Sequence, residues 1–199
     1  TPYTSSAASD VYKRQTHELP NNFTVFATQN PIEYEGTYPL PEAQKDRFLL
    51  RVEIDYPGEE EEKQLALQSL GQETPEKILE SDAIQPVLTT EGIATMQAAL
   101  EGITMKGELV SYVVELIRVS RETDSIQIGA GPRATKALLL SSRALAAIEG
   151  RDYVTPDDIR LMAYPVLSHR IILRPEYEIE GMTVREAVNK LLESVAVPR

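Results

Sequence analysis

Apolar positions recur along this chain with two different periods, and the change of period divides it. Phe23-Thr24-Val25-Phe26-Ala27 is an apolar, β-prone run, the pattern of a strand covered on both faces. It ends in Thr28-Gln29-Asn30-Pro31, where Pro31 stops regular pairing. A loop with Gly36, Pro39 and Pro41 follows, and Glu42 to about Arg47 is predicted as a brief helix opened by Pro41. Leu50, Val52, Ile54 and Tyr56 then alternate with Arg51, Glu53 and Asp55. Period two predicts a half-exposed strand toward a sheet edge. Pro57-Gly58 breaks it, and the domain boundary is placed there.

Past that point the period is helical. Glu59, Glu60, Glu61 and Glu62 open a helix whose N-terminal dipole they complement; as a cluster they read as a solvated face. Ile93, Met96 and Leu100 mark a second helix, and Leu109, Val113, Leu116 and Ile117 a third. Ala134, Ala137, Leu138, Ser141, Leu145 and Ile148 mark a fourth, closed by Gly150. Thr155-Pro156-Asp157-Asp158 combines a hydroxyl cap, an N1 proline and first-turn acids. Pro165 is expected to restart that helix rather than lie inside it. Thr183 and Glu186 form a capping-box pattern, after which Val184, Val188, Leu191, Leu192 and Val195 line one face.

Two strands do not make a stable sheet, so they read as the end of a larger one. The 199 residues are 42% hydrophobic, enough for one or two small domains with a core. A formal net charge of −11 argues against a dominant nucleic-acid partner. The chain has no cysteine, which excludes disulfides, zinc–thiolate sites and cysteine nucleophiles, and fits a cytoplasmic location. No apolar run reaches the roughly 18 residues of a membrane span. Thr1 to about Gln15 is polar and aperiodic, ends in a stretch resembling translated sequencing adaptor, and is read as a non-native or disordered tail.

Three residues carry candidate chemistry. Asn30 sits just past a predicted strand, where ligands of open α/β sheets bind; the plain alternative is a turn residue before proline. Arg47 follows Gln44 and Asp46 on the short helix. It could stabilise a transferring phosphoryl group from a neighbouring subunit, or pair with Asp46 or a nearby glutamate at the surface. Arg133 lies in Gly129-Ala130-Gly131-Pro132-Arg133-Ala134-Thr135. A cation in a first turn opposes the helix dipole, so it points either to a bound phosphate or to a salt bridge. His17 and His169 show no metal-ligand spacing, and His169 beside Arg170 reads as a packed or capping residue. Glu33 and Glu35 read as loop acids, solvated or contacting a neighbouring subunit, and Ser141-Ser142 has no plausible base.

Taken together these segments resemble one family. Phe23 to Phe48, FTVFATQNPIEYEGTYPLPEAQKDRF, is similar to the sensor-1 and arginine-finger stretch of MoxR-type AAA+ ATPases. Gly129 to Thr135 resembles the family's sensor-2 motif, and Arg151 to Ile159 and Val166 to Arg170 resemble its lid. The resemblance runs from about residue 16 to the end. It implies the C-terminal part of an α/β P-loop-type core (its last two strands, residues 16–57) followed by an all-α helical lid (58–199). It implies Asn30 as sensor 1, Arg47 as the finger acting on ATP in the adjacent subunit, and Arg133 as the sensor-2 residue binding ATP in its own. ATP with Mg2+, a homo-oligomeric, hexameric ring, a partner with a von Willebrand factor A domain, and a protein client follow by the same implication.

There are departures. Tyr34 stands where relatives usually have glutamine, Lys45 where an apolar residue is common, and Gly131 where serine is frequent. No G-x-x-x-x-G-K-[ST] and no apolar strand ending in Asp-Glu occurs, so nothing here cradles phosphates or holds magnesium. The chain alone is expected neither to bind ATP tightly nor to hydrolyse it. A magnesium-chelatase-like motor, and a non-catalytic helical interaction module derived from an ATPase, are the competing readings.

Overall fold

A computed structural model describes residues 9–12, 15–18, 23–29, 40–70 and 85–198. Contacts divide the chain into two compact units, one from 1–39 and 86–98, the other from 40–85 and 99–199. The expected boundary at Pro57-Gly58 falls inside the second unit.

In the first unit, β1 (Ser9–Tyr12) pairs antiparallel with β2 (Gln15–Glu18), Ser9 opposite Glu18 and Tyr12 opposite Gln15. The buried strand expected at Phe23–Ala27 is absent: residues 23–29 form no ladder, and Phe26 is 91% exposed. A run that is apolar on both faces needs a strand on each edge, and residues 23–29 carry no strand assignment. Asn30, Glu33 and Glu35 lie outside the described residues.

The second unit holds the core. α1 (Glu42–Lys45) is one turn, with Pro41 at its N-cap. Residues 50–58 form no strand, so the expected edge strand is also absent. Leu50 packs against the core and the Glu53 carboxylate reaches Tyr164 and Arg185, whereas Val52, Ile54 and Tyr56 are exposed. One backbone bond, Arg51 N–H to Pro165 O at 2.9 Å, replaces a ladder. α2 (Glu59–Leu70) buries no residue. Its acidic first turn is the solvated face expected, with Lys63 bridging Glu59 and Glu60. The helix α3 (Thr90–Ala99) falls in the first unit except for its last residue, and a 3-10 turn over Leu100–Gly102 lies in the second.

The bundle proper is made of α4 (Gly107–Val119), α5 (Pro132–Ile148), α6 (Pro156–Leu167), α7 (Pro175–Ile179) and α8 (Val184–Ser194). α4 buries Leu109, Tyr112, Val113, Leu116 and Ile117, the 3–4 spacing of one helical face. α5 buries Ala134, Ala137, Leu138, Ser141, Ser142 and Ala146, small residues that let α6 lie close. Ile148, expected on that face, is exposed, because the helix has reached its last residue. Gly150 follows with φ 73°, a left-handed turn that favours glycine. Two short strands, β3 (Ile126–Ile128) and β4 (Ile172–Leu173), pair antiparallel at the side of the bundle.

Both capping signals are realised. The Thr155 side chain accepts from Asp158 N–H while the Asp158 carboxylate accepts from Thr155 N–H at 2.7 Å. Thr183 and Glu186 do the same for α8, whose buried face is Ala187, Val188, Leu191 and Leu192. Pro165, expected to restart a helix, lies inside α6. It stands two residues before the end, where the missing N–H costs at most one intrahelical bond.

Candidate functional site

The site forms in the second unit, where the segment after α1 meets the ends of α5 and α6. Asp46 is the C-cap of α1. Its carboxylate takes two cations, one on each oxygen: Arg133 Nη1 at 3.1 Å on Oδ2, and Arg170 Nε at 3.1 Å on Oδ1. The two arms differ in surroundings. Arg133's side chain is 58% exposed, whereas that of Arg170 is 3% exposed.

Arg170 was not singled out by sequence as a functional residue, yet it organises this corner. Besides Asp46 it donates to the carbonyls of Asp46, Phe48, Leu49 and Val166. A guanidinium offers five N–H donors in a fixed fork and cannot discard its charge, so burial is tolerated only with this many acceptors. Its partners in residues 46–49 fasten the segment carrying Arg47 to the helices. His169 packs alongside, Nε2 donating to Phe48 O at 3.2 Å. Burial, and then the charge of Arg170, push the His169 pKa down to about 4, so the ring is neutral near pH 7. It is a packed residue, as expected.

Arg47 lies on the turn closing α1, its N–H bonded to Gln44 O at 3.1 Å, and it is exposed. The carboxylate of Asp46, considered as a mate for Arg47, is given to Arg133 and Arg170 instead.

Arg133 is placed by the loop before it. Ala130 N–H donates to Ser120 Oγ at 3.0 Å, and Ala130 O accepts from Arg121 Nε at 2.8 Å. Gly129 lies so close to the end of α4 that a Cβ there would sit 2.5 Å from Ser120 O and 2.7 Å from Arg121 Cα. Glycine is therefore required by close approach. Gly131, the N-cap of α5, offers no side-chain cap, and the first turn contains no acid. Arg133 stands there as the sole charged group, against the helix dipole, and Asp46 answers it.

A second fastening lies farther along. Tyr164 Oη donates to Glu53 Oε1 at 2.6 Å, Arg185 Nη2 to Glu53 Oε2 at 3.0 Å, and Arg185 stacks over the Tyr164 ring. The Tyr164 bond, and the Arg185 bond after it, outweigh burial and hold the Glu53 pKa below its ordinary value.

Family comparisons agree with this layout. Residues 118–191 match the AAA lid domain, and residues 8–50 match the ATPase family associated with various cellular activities (AAA). The protein YeaC of Bacillus subtilis, whose function is uncharacterised, is 39% identical over 184 residues, covering 92% of this chain and 55% of the relative. Chaperone MoxR1 of Mycobacterium tuberculosis is 34% identical over 194 residues, covering 93% and 49%. The chain belongs to the MoxR family of AAA+ ATPases. It spans about half the length of these curated relatives. A crystal structure from Cytophaga hutchinsonii, of a protein provisionally named as an ATPase, superposes with a TM-score of 0.84. The two are 32% identical, and the match covers 96% of this chain and 59% of that one. The fold class, an AAA+ core segment followed by a helical lid, stands on these matches. Among the described residues, no helix of this MoxR-family chain is long and apolar enough to cross a membrane.

Proposed function

We propose that this chain is the C-terminal part of an ATP-hydrolysing, chaperone-like MoxR machine. The observation that carries the reading is the shared carboxylate of Asp46. It links Arg133, at the start of a lid helix, to the turn that carries Arg47. An ATPase of this class needs a lid cation for its own nucleotide and a second cation for its neighbour's, and the linkage of Arg133 to the turn bearing Arg47 supports assigning those roles to them.

Arg133 fits a phosphate oxygen. It is more than half exposed, on a first turn with no competing acid and no side-chain cap. In its assigned role it stabilises the negative charge of ATP held in its own subunit. Arg47 extends from the fastened turn to the neighbour's site and stabilises charge developing on the transferring phosphoryl group. Asn30 positions the attacking water. Magnesium, when bound, neutralises phosphate charge, and its ligands are not in this sequence. The machine is a homo-oligomeric, hexameric ring in the cytoplasm that acts on a protein client, with a von Willebrand factor A domain protein as partner. The chain alone is inactive.

Reading the source DNA upstream of the Thr16 codon tests this. An in-frame phosphate-binding loop and Asp-Glu strand are expected. A stop codon or an unrelated gene would overturn the ATPase reading in favour of a non-catalytic helical interaction module.

A further inference from the structure

The two arms on Asp46 differ in how readily they can be exchanged. The Arg170 arm is buried and backed by four backbone carbonyls, and breaking it would strand a charge away from water. The Arg133 arm is an exposed ion pair through a single Nη1–Oδ2 contact. Such pairs are weak, and a phosphate, with more charge and oxygens matched to the guanidinium fork, competes well for the same arginine. Arg133 and Asp46 are also 87 residues apart, so no local turn holds the pair together.

We propose that Asp46 is a positioning residue that holds Arg133 in reserve and yields it to nucleotide. This rests on the reading of Arg133 as the lid residue that binds phosphate. In the reserve state Asp46 bears two cations. When Arg133 turns to a phosphate, Asp46 keeps Arg170 and one of its oxygens loses its cation, one residue before Arg47. The corner stays fastened while its charge changes, so nucleotide occupancy in one subunit is registered beside the arginine aimed at the next. Asp46 thereby opposes nucleotide binding in its own subunit, because every engagement of Arg133 first breaks an ion pair.

The test is a double-mutant cycle in the full-length assembled ring, with equilibrium binding of a fluorescent, slowly hydrolysed ATP analogue as the readout. Asp46→Asn keeps an oxygen for Arg170 Nε and removes the charge that holds Arg133. It is expected to tighten binding about two- to fivefold, the scale of an exposed ion pair. Arg133→Ala is expected to weaken binding, and adding Asp46→Asn to it should then change nothing. If Arg133→Ala weakens binding but Asp46→Asn alone does not tighten it, or tightens it equally without Arg133, the reserve role is overturned and the lid reading stands. If Arg133→Ala leaves affinity unchanged, the lid reading itself falls, and the reserve role with it. Should Asp46→Asn fail to assemble, Asp46→Ser removes the same charge and carries the same expectations.

Discussion

Arg170 reaches Asp46 across 124 residues of sequence, and its buried guanidinium meets the carboxylate at 3.1 Å. This pair decides where the turn bearing Arg47 sits, because the same arginine also takes the carbonyls of Asp46, Phe48 and Leu49. Arg170→Lys keeps a charge but loses the fork, leaving carbonyls buried without donors. It is expected to destabilise the 199-residue chain by about 2–3 kcal/mol, read from the urea midpoint at unchanged slope. A shift below about 0.5 kcal/mol would show that the clamp is not what holds residues 46–49.

Asp158 is the second buried anchor. Arg151 grips it with two bonds, Nη1 to Oδ2 at 2.8 Å and Nη2 to Oδ1 at 2.6 Å, and Thr155 adds its N–H and hydroxyl. Burial alone would raise the Asp158 pKa, but the bonds from Arg151 and Thr155 outweigh it and hold the carboxyl below its ordinary value. Asp158→Asn should cost about 2 kcal/mol, combining a lost cap with a broken buried pair. The ionised form stabilises the fold, so this contribution is complete above the ordinary carboxylate pKa and fades as pH falls through the lowered one. Urea unfolding of the variant against wild type at pH 7 measures it.

His169 gives stability its own acid limb. Its folded pKa is about 4, against 6.5 for the free side chain. Between those values the unfolded chain binds the extra proton, so stability falls as pH drops from 6.5 toward 4 and is unaffected above that window. His169→Gln, which can still donate to Phe48 O, is expected to flatten this limb. An unchanged pH profile between 4 and 6.5 would remove His169 from the account.

Gly129 sets the position of Arg133. The atoms a Cβ would meet are backbone and cannot swing aside, so Gly129→Ala should displace the loop and cost about 1–3 kcal/mol. Gly131→Ala, with open space around the added carbon, is the control and should cost much less. Equal thermal stabilities for the two variants would contradict the close approach.

Legibility in the sequence followed the range of the forces. The faces of α4 and α8, the Thr155 cap and the Thr183–Glu186 capping box depend on residues three or four apart, and these are readable. The runs at Phe23–Ala27 and Leu50–Tyr56 have strand patterns, but a strand exists only with a partner, and the pattern does not carry one. In the second run Glu53 is held by Tyr164 and Arg185, more than a hundred residues away, which no local pattern marks. Arg47 and Arg133 were found as odd cations at informative places. Arg170 was visible only as part of a family-like segment, because most of its acceptors are backbone carbonyls, which no side-chain pattern marks. Asp46 neighbours Arg47 in sequence, whereas its two partners come from the start of α5 and from the turn after α6.

The central claim is that Arg47 serves the adjacent subunit while Arg133 serves its own, and subunit mixing tests it most directly. Full-length Arg47→Ala rings, and rings disabled in the phosphate-binding loop, would each be assayed for ATP turnover alone and after mixing. Neither should hydrolyse ATP alone. Mixed rings should recover activity, because an intact Arg47 from a loop-dead subunit can complete the intact loop of its neighbour. No recovery in rings shown to contain both subunits would contradict the trans role of Arg47.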